Sequence, residues 1–253
     1  MEFEGRHALV TGGGTGIGLA IAGALAERGA EVTITGRDLG RLDRVAAVRP
    51  RLHPLRMDVA DEASVRDGIA EAARARGPVT ICIGNAGIAE SAPFHRETLD
   101  HWRRTMATNL DGVFLTFQAA LATLPRDQPA RMIAISSIAG LRGLRNAIAY
   151  TASKHAVIGL IRGLSEEYMG GPVTFNAICP GYVDTPIVDR NAAEIAELKG
   201  ITDAEARAYL ARGNRHKRLL EADEVTATAL WICSDAARSV NGQAIQIAGG
   251  QVA

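Results

Sequence analysis

Tyr150 and Lys154 stand four residues apart in Ala149-Tyr150-Thr151-Ala152-Ser153-Lys154. On a helix that spacing puts both side chains on one face, a turn apart. A phenol titrates near pH ~10, too high for useful proton transfer at neutral pH. An ammonium within a few ångströms favours phenolate and lowers that value. The pair could then pass a proton to or from an alcohol or ketone oxygen. Many helices carry a Tyr and a Lys one turn apart, so the spacing acquires meaning only from what positions it.

The positioning elements follow from the hydrophobic pattern. Runs with strand character are Ala8–Thr11, Val32–Thr35, Leu52–Met57, Val79–Ile83, Met132–Ser136, Val173–Ile178 and Ala244–Ile247. Several are apolar throughout, as parallel strands covered on both faces require. Between them, stretches of helical period span Gly18–Arg28, Leu39–Val48, Ser64–Arg76, Leu99–Thr123, Tyr150–Met169 and Glu224–Ser234. This alternation predicts an α/β chain with a doubly wound parallel sheet of about seven strands, Rossmann-type, forming one domain over 1–253. The charged segment 186–220 departs from the rhythm and reads as a small helical substrate lid.

The first strand runs directly into Thr11-Gly12-Gly13-Gly14-Thr15-Gly16-Ile17-Gly18. Glycines at a strand-to-helix junction permit a tight turn and let the backbone approach a pyrophosphate at the helix N-terminus. The G-x-G-x-x-G spelling is not met; the loop fits G-x-x-x-G-x-G at Gly12, Gly16 and Gly18. The second strand ends in Thr35-Gly36-Arg37-Asp38. An acidic residue at such an end suits the ribose hydroxyls of NAD, and an arginine the 2′-phosphate of NADP. Arg37 favours NADP(H) over NAD(H), although Asp38 could also face the ribose.

Composition removes other classes. The 28 basic residues are balanced by 28 acidic ones, with no dense basic run, which argues against nucleic acid as a partner. Cys82, Cys179 and Cys233 are far apart and read as reduced, buried thiols. No stretch approaches the ~18 apolar residues of a membrane span, and the N-terminus lacks a signal-peptide core, so a cytoplasmic protein is expected. The histidines show no metal spacing, and the G-x-S-x-G of hydrolases is absent. His155, Trp102 and Trp231 read as helix-packing residues.

Together the motifs resemble the short-chain dehydrogenase/reductase family over essentially the whole chain. The matching pieces, in order, are Thr11–Gly18, Asp58-Val59, Asn85-Ala86-Gly87, Asn109, Ser137, Tyr150 with Lys154, and Pro180-Gly181-Tyr182-Val183-Asp184-Thr185. The resemblance implies Tyr150 as general acid in ketone reduction and general base in alcohol oxidation. Lys154 would lower the Tyr150 pKa and hold the nicotinamide ribose. Ser137, thirteen residues before Tyr150, would hydrogen-bond the reacting oxygen. Asn109 would interrupt its helix and bind, through its backbone, a water linked to Lys154. Gly12, Gly14, Thr15, Gly16, Ile17 and Gly18 would hold the pyrophosphate. Asp58 and Val59 would contact the adenine, and Asn85, Ala86 and Gly87 would pack along the cofactor. Pro180, Gly181, Val183 and Thr185 would flank the nicotinamide. Family members usually form tetramers, so a homo-oligomer is expected.

Gly84 stands where many members carry a second asparagine, which would loosen the wall beside the cofactor; Ala248 replaces a frequent aspartate. The pocket candidates are Leu141, Arg142, Leu144, Arg145, Tyr182, Ile187, Val188 and Asn191, with Arg142 and Arg145 suited to an anion. The lid resembles that of 3-hydroxybutyrate dehydrogenases. Ala139 and Ala147 stand where those enzymes use a histidine and a lysine to hold a carboxylate. A 3-oxoacyl/3-hydroxyacyl thioester or related ketone is therefore the favoured substrate, and a free hydroxy acid or a cyclic or aromatic alcohol the alternative. A non-catalytic dinucleotide sensor or partner subunit is the rival of another class, which Asn109, Ser137, Tyr150 and Lys154 argue against.

Overall fold

The apolar runs fold as strands β1 (His7–Thr11), β2 (Glu31–Gly36), β3 (Leu52–Arg56), β4 (Val79–Gly84), β5 (Ala130–Ile135), β6 (Val173–Pro180) and β7 (Ala244–Ile247). All pair in parallel, in the order β3-β2-β1-β4-β5-β6-β7. The computed structural model describes residues 1–251, so the last two positions of the expected 1–253 unit lie outside the described residues. Every residue of β1, β4, β5 and β6 is buried, which accounts for their unbroken hydrophobic sequences. Pro54, which cannot donate to a ladder, is tolerated because β3 is an edge strand.

Helices α1 (Gly16–Glu27), α2 (Leu39–Ala46), α3 (Glu62–Arg76), α4 (Leu99–Met106), α5 (Gly112–Leu121), α6 (Ile148–Glu167), α7 (Pro186–Lys199), α8 (Asp203–Ala211) and α9 (Ala222–Cys233) cover the sheet and build the lid. Successive residues of β1 face opposite layers. Val10 joins Ile21, Leu25, Val225 and Ile232 on one face, and Leu9 joins Ile69, Phe117, Val157 and Phe175 on the other. Phe117 and Phe175 meet edge to face with ring centroids 6.3 Å apart, each burial contributing roughly 2 kcal/mol.

One helix differs from the sequence reading. The expected helix Leu99–Thr123 divides into α4, a π-helical turn at Ala107–Asp111, and α5. Hydrophobic periodicity cannot register one extra residue in a turn, whereas the turn places the buried Asn109 side chain inward. The lid segment is two helices with a small core of Val188, Ala192, Ala196, Ala206 and Leu210. Pro186 opens α7, Gly200 ends it in the left-handed region at φ 64°, and a Thr202–Glu205 capping box starts α8.

Candidate active site

Strand order reverses between β1 and β4, so their outgoing chains diverge and leave a crevice at their carboxyl ends. The Thr11 hydroxyl accepts from the Asn85 and Ala86 backbone N–H groups at 2.9 and 3.0 Å, pinning the two strand ends together. Asn85 Nδ2 donates back to the Thr11 carbonyl at 2.8 Å. Gly16 has φ +53°, the left-handed region. A Cβ at Gly18 would lie 2.4 Å from Asn85 Nδ2 and 2.5 Å from the Gly12 carbonyl, so only glycine fits. Thr15 caps α1 without a side-chain bond, leaving the first-turn N–H groups of α1, with Ile17 among them, available to an anion. Thr185, arriving after β6, lies against Gly16. A loop in which added Cβ atoms collide, at an uncapped helix start, fits a dinucleotide pyrophosphate.

At the end of β2, Asp38 caps α2: its Oδ1 accepts from the Arg41 N–H at 3.0 Å, and Oδ2 lies 3.7 Å from Arg41 Nε. Arg37 is exposed and forms no ion pair among the described residues. The Asp58 carboxylate accepts from Ala60 N–H at 3.0 Å. Val59 turns inward, where a Cβ on Gly112 would meet it at 2.9 Å. Gly84 does not open the cofactor wall as expected: its missing Cβ points at Val113 and Phe117, where the sheet packs on α5.

The proton-transfer candidates converge from β5, α6 and the π-turn. Ser137, in extended backbone just beyond β5, is buried, and its Oγ accepts from Ala139 N–H at 3.1 Å. Ser136 Oγ instead donates to the Lys154 carbonyl at 3.1 Å, which leaves Ser137 as the hydroxyl beside Tyr150. Lys154 is buried; its Nζ lies 5.7 Å from the Tyr150 ring centroid and donates to the Ile135 carbonyl at 2.8 Å. Asn109 Oδ1 accepts from Ile88 N–H at 2.8 Å, and Nδ2 donates to the Ile88 carbonyl at 2.9 Å and to Ser153 Oγ at 3.1 Å. A Cβ at Gly87 would stand 3.3 Å from Asn109 Oδ1 and 3.6 Å from Lys154 Nζ, so this glycine lets both approach the backbone.

The electrostatics correct one expectation. Burial holds the Tyr150 phenol above its ordinary pKa; the Ser137 hydroxyl opposes this, while Tyr182 and Cys179 add to the rise. Burial also disfavours the charge of Lys154 and lowers its pKa to about 8. Among the described residues, no group of His, Cys, Asp or Glu could hold a metal ion. The three cysteines are buried and free.

The pocket candidates separate. Leu141 and Leu144 are half-buried on the loop after Ser137, while Arg142, Arg145 and Ile187 are exposed. Tyr182 and Asn191 are half-buried, and Val188 packs into the lid core instead of facing outward. Trp231 is 45% exposed on α9, and His155 is exposed on α6 with its ring against the Thr151 carbonyl.

The sequence reading missed Asn214. It is fully buried; Oδ1 accepts from the Tyr182 N–H at 2.9 Å, and Nδ2 donates to the Tyr182 and Arg218 carbonyls at 2.8 and 2.7 Å. It clamps the Pro180–Thr185 loop to the chain leaving the lid. A Gly-Asn pair after a helix reads as an ordinary turn, so only the fold reveals what this side chain holds.

Comparison with known proteins agrees with this arrangement. The family model described as short chain dehydrogenase matches residues 6–196. Cis-4-hydroxycyclohexanecarboxylate dehydrogenase of Sinomonas cyclohexanicum is 36% identical, over 99% of this chain and 98% of its own length. The 3-oxoacyl-(acyl-carrier-protein) reductase of Mycobacterium avium is 32% identical over 98% and 90%. A variant of the actinorhodin polyketide ketoreductase, crystallised with NADPH, superposes with a TM-score of 0.93 at 28% identity, covering 97% of each chain. With its glycine loop at the β1/β4 crevice and its Ser-Tyr-Lys group beside it, the chain belongs to the short-chain dehydrogenase/reductase family and is an oxidoreductase acting on CH–OH groups.

Proposed function

We propose that the protein interconverts a ketone and a secondary alcohol with NADP(H), and that Tyr150 transfers the proton. The observation that carries this reading is the convergence of Ser137, Tyr150 and Lys154 at the mouth of the dinucleotide crevice. Bound there, the nicotinamide would supply or accept the hydride. In reduction, negative charge grows on the carbonyl oxygen. The Ser137 and Tyr150 hydroxyls would both donate to it, and the Tyr150 proton would stay with the product. Lys154 would refill that proton or bias the phenol toward ionisation, drawing on the side chain anchored at the Ile135 carbonyl. Asn109 would bind the water of that relay through its backbone at the π-turn.

Arg37 supports NADP(H) over NAD(H): it is exposed and unpaired among the described residues, while Asp38 is committed to the cap of α2. The relatives' names support two substrate readings, a 3-oxoacyl thioester or related ketone, and a hydroxylated carboxylic acid such as a cyclohexane derivative. The unit 1–253, with 186–220 as its lid, would act on a small molecule in the cytoplasm as a homotetramer. No described helix is long and apolar enough to cross a membrane, and exposed Leu99, Phe114 and Ile148 offer apolar contact surface on α4, α5 and α6.

The test is Tyr150→Phe assayed by nicotinamide absorbance across a panel of ketones. Loss of roughly 10³-fold or more in kcat is expected; activity near wild type would remove the proton-transfer role. Separate titration with NADPH and NADH checks the cofactor, and tighter NADH binding overturns the reading of Arg37.

A further inference from the structure

We propose that the cleft between the Tyr182 loop and the end of α8 is a subsite for an anionic group of the substrate, remote from its reacting carbonyl. This rests on the reaction proposed above and narrows its substrate class: the anion is a carboxylate of a free acid or a phosphate of a thioester carrier.

The cleft, about 300 Å³, is lined by Tyr182, Tyr209, Leu210, Arg212 and Gly213. Its Tyr182 wall stands on the Pro180–Thr185 loop, whose Thr185 lies against Gly16 of the glycine loop. Tyr182 is near enough to Tyr150 to raise its pKa, and Tyr182 in turn responds to both Tyr209 and Arg142. The Tyr182 ring packs closely against Gly213: a Cβ there would be 2.4 Å from its Cε2. Both backbone groups of Tyr182 are held by Asn214, so the wall is preorganised. Lys199 Nζ sits 3.7 Å from the centroid of the Tyr209 ring.

The charges around this cleft are unbalanced. Arg142, Lys199 and Arg212 form no ion pair among the described residues, although nearby cations do. Arg207 pairs with Asp184 and Asp189, and Arg218 with Glu224. The acidic partners of Arg207 and Arg218 are thus already taken, Arg212 lines the tyrosine-walled opening, and Lys199 and Arg142 stand beside its two tyrosines. Such an arrangement concentrates an anion, and a guanidinium can bind carboxylate or phosphate through two parallel hydrogen bonds.

Two matched pairs of ketones test the proposal: 4-oxocyclohexanecarboxylate against its methyl ester, and acetoacetyl-coenzyme A against the acetoacetyl thioester of N-acetylcysteamine. Wild type is expected to show at least a tenfold higher kcat/KM for the charged member of one pair, and which pair shows it names the source of the anion. In Arg142→Ala and Arg212→Ala that charged-to-neutral ratio falls at least fivefold, and in Arg212→Glu it falls further. No preference in either pair, or a ratio unmoved by all three variants, overturns the subsite. If none of the four ketones is reduced with either cofactor, it is the reaction that fails. Calorimetric titration of wild type and Arg212→Glu with 4-hydroxycyclohexanecarboxylate then still decides the subsite, since equal affinities would refute it.

Discussion

The floor of the site and its lid are built differently. Ser137, Lys154 and Asn109 are buried, and each is fixed by hydrogen bonds to backbone or to a neighbouring side chain. They project from the end of β5, from the π-turn and from α6, a twenty-residue helix packed on the sheet. The lid helices α7 and α8 share a core of one valine, three alanines and one leucine, and their outer face carries exposed ion pairs. Small apolar side chains and solvent-facing pairs contribute little stability. Under the proposed function, chemistry that needs fixed geometry would sit where packing is dense, and substrate selection where rearrangement costs little.

The largest test of this contrast is Lys154→Met. On the floor, loss of the ammonium should lower kcat by at least ~10²-fold. It should also raise stability near neutral pH, because a buried charge is removed. Below pH 8, folded and unfolded chains both carry the proton, and folding bears the full cost of burying it. Between the folded value of about 8 and the ordinary 10.5, only the unfolded chain holds the proton, so wild-type stability rises with pH. The shift corresponds to something on the order of 3 kcal/mol. Thermal melts should show the variant more stable at pH 7 and the gap closing toward pH 10. A gap independent of pH would mean that Lys154 is not strained by burial.

Asn214→Ala probes the joint between the two regions. Removing it takes the acceptor from the Tyr182 N–H, worth ~1–3 kcal/mol, and one donor each from the Tyr182 and Arg218 carbonyls; the Tyr182 carbonyl keeps the Leu220 N–H. The expected result is a lower melting temperature together with a KM for ketone raised about tenfold as the Pro180–Thr185 loop loosens. Unchanged KM with reduced stability would make Asn214 structural only.

Arg207→Ala, within the lid, should do least. Its pairs with Asp184 and Asp189 are partly exposed, and such pairs are worth ~0–1 kcal/mol. Melting should shift by no more than about 2–4 °C. KM should rise modestly, measured at low and at high salt. A large destabilisation would erase the distinction between floor and lid.

The sheet was legible because seven apolar runs alternate with helical stretches, a pattern that residues 7–247 satisfy locally. The glycine loop was legible because a glycine cluster directly after the first strand is itself local, although what Gly16 and Gly18 make room for, Thr185 and Asn85, comes from far along the chain. The π-turn at Ala107–Asp111 was not, since the helical period continues through it on both sides.

The sequence by itself determined the order of elements, the crevice glycines and the spacing of Ser137, Tyr150 and Lys154. Tertiary structure alone decided the rest. Burial, which is a sum over distant neighbours, raised the Tyr150 pKa where the local Tyr-Lys spacing had suggested a fall. It likewise turned Val188 into lid core, faced Gly84 toward α5, and gave Asn214 its three partners. Desolvation and long-range hydrogen bonds depend on what the fold brings alongside a residue, and a sequence states only what precedes and follows it.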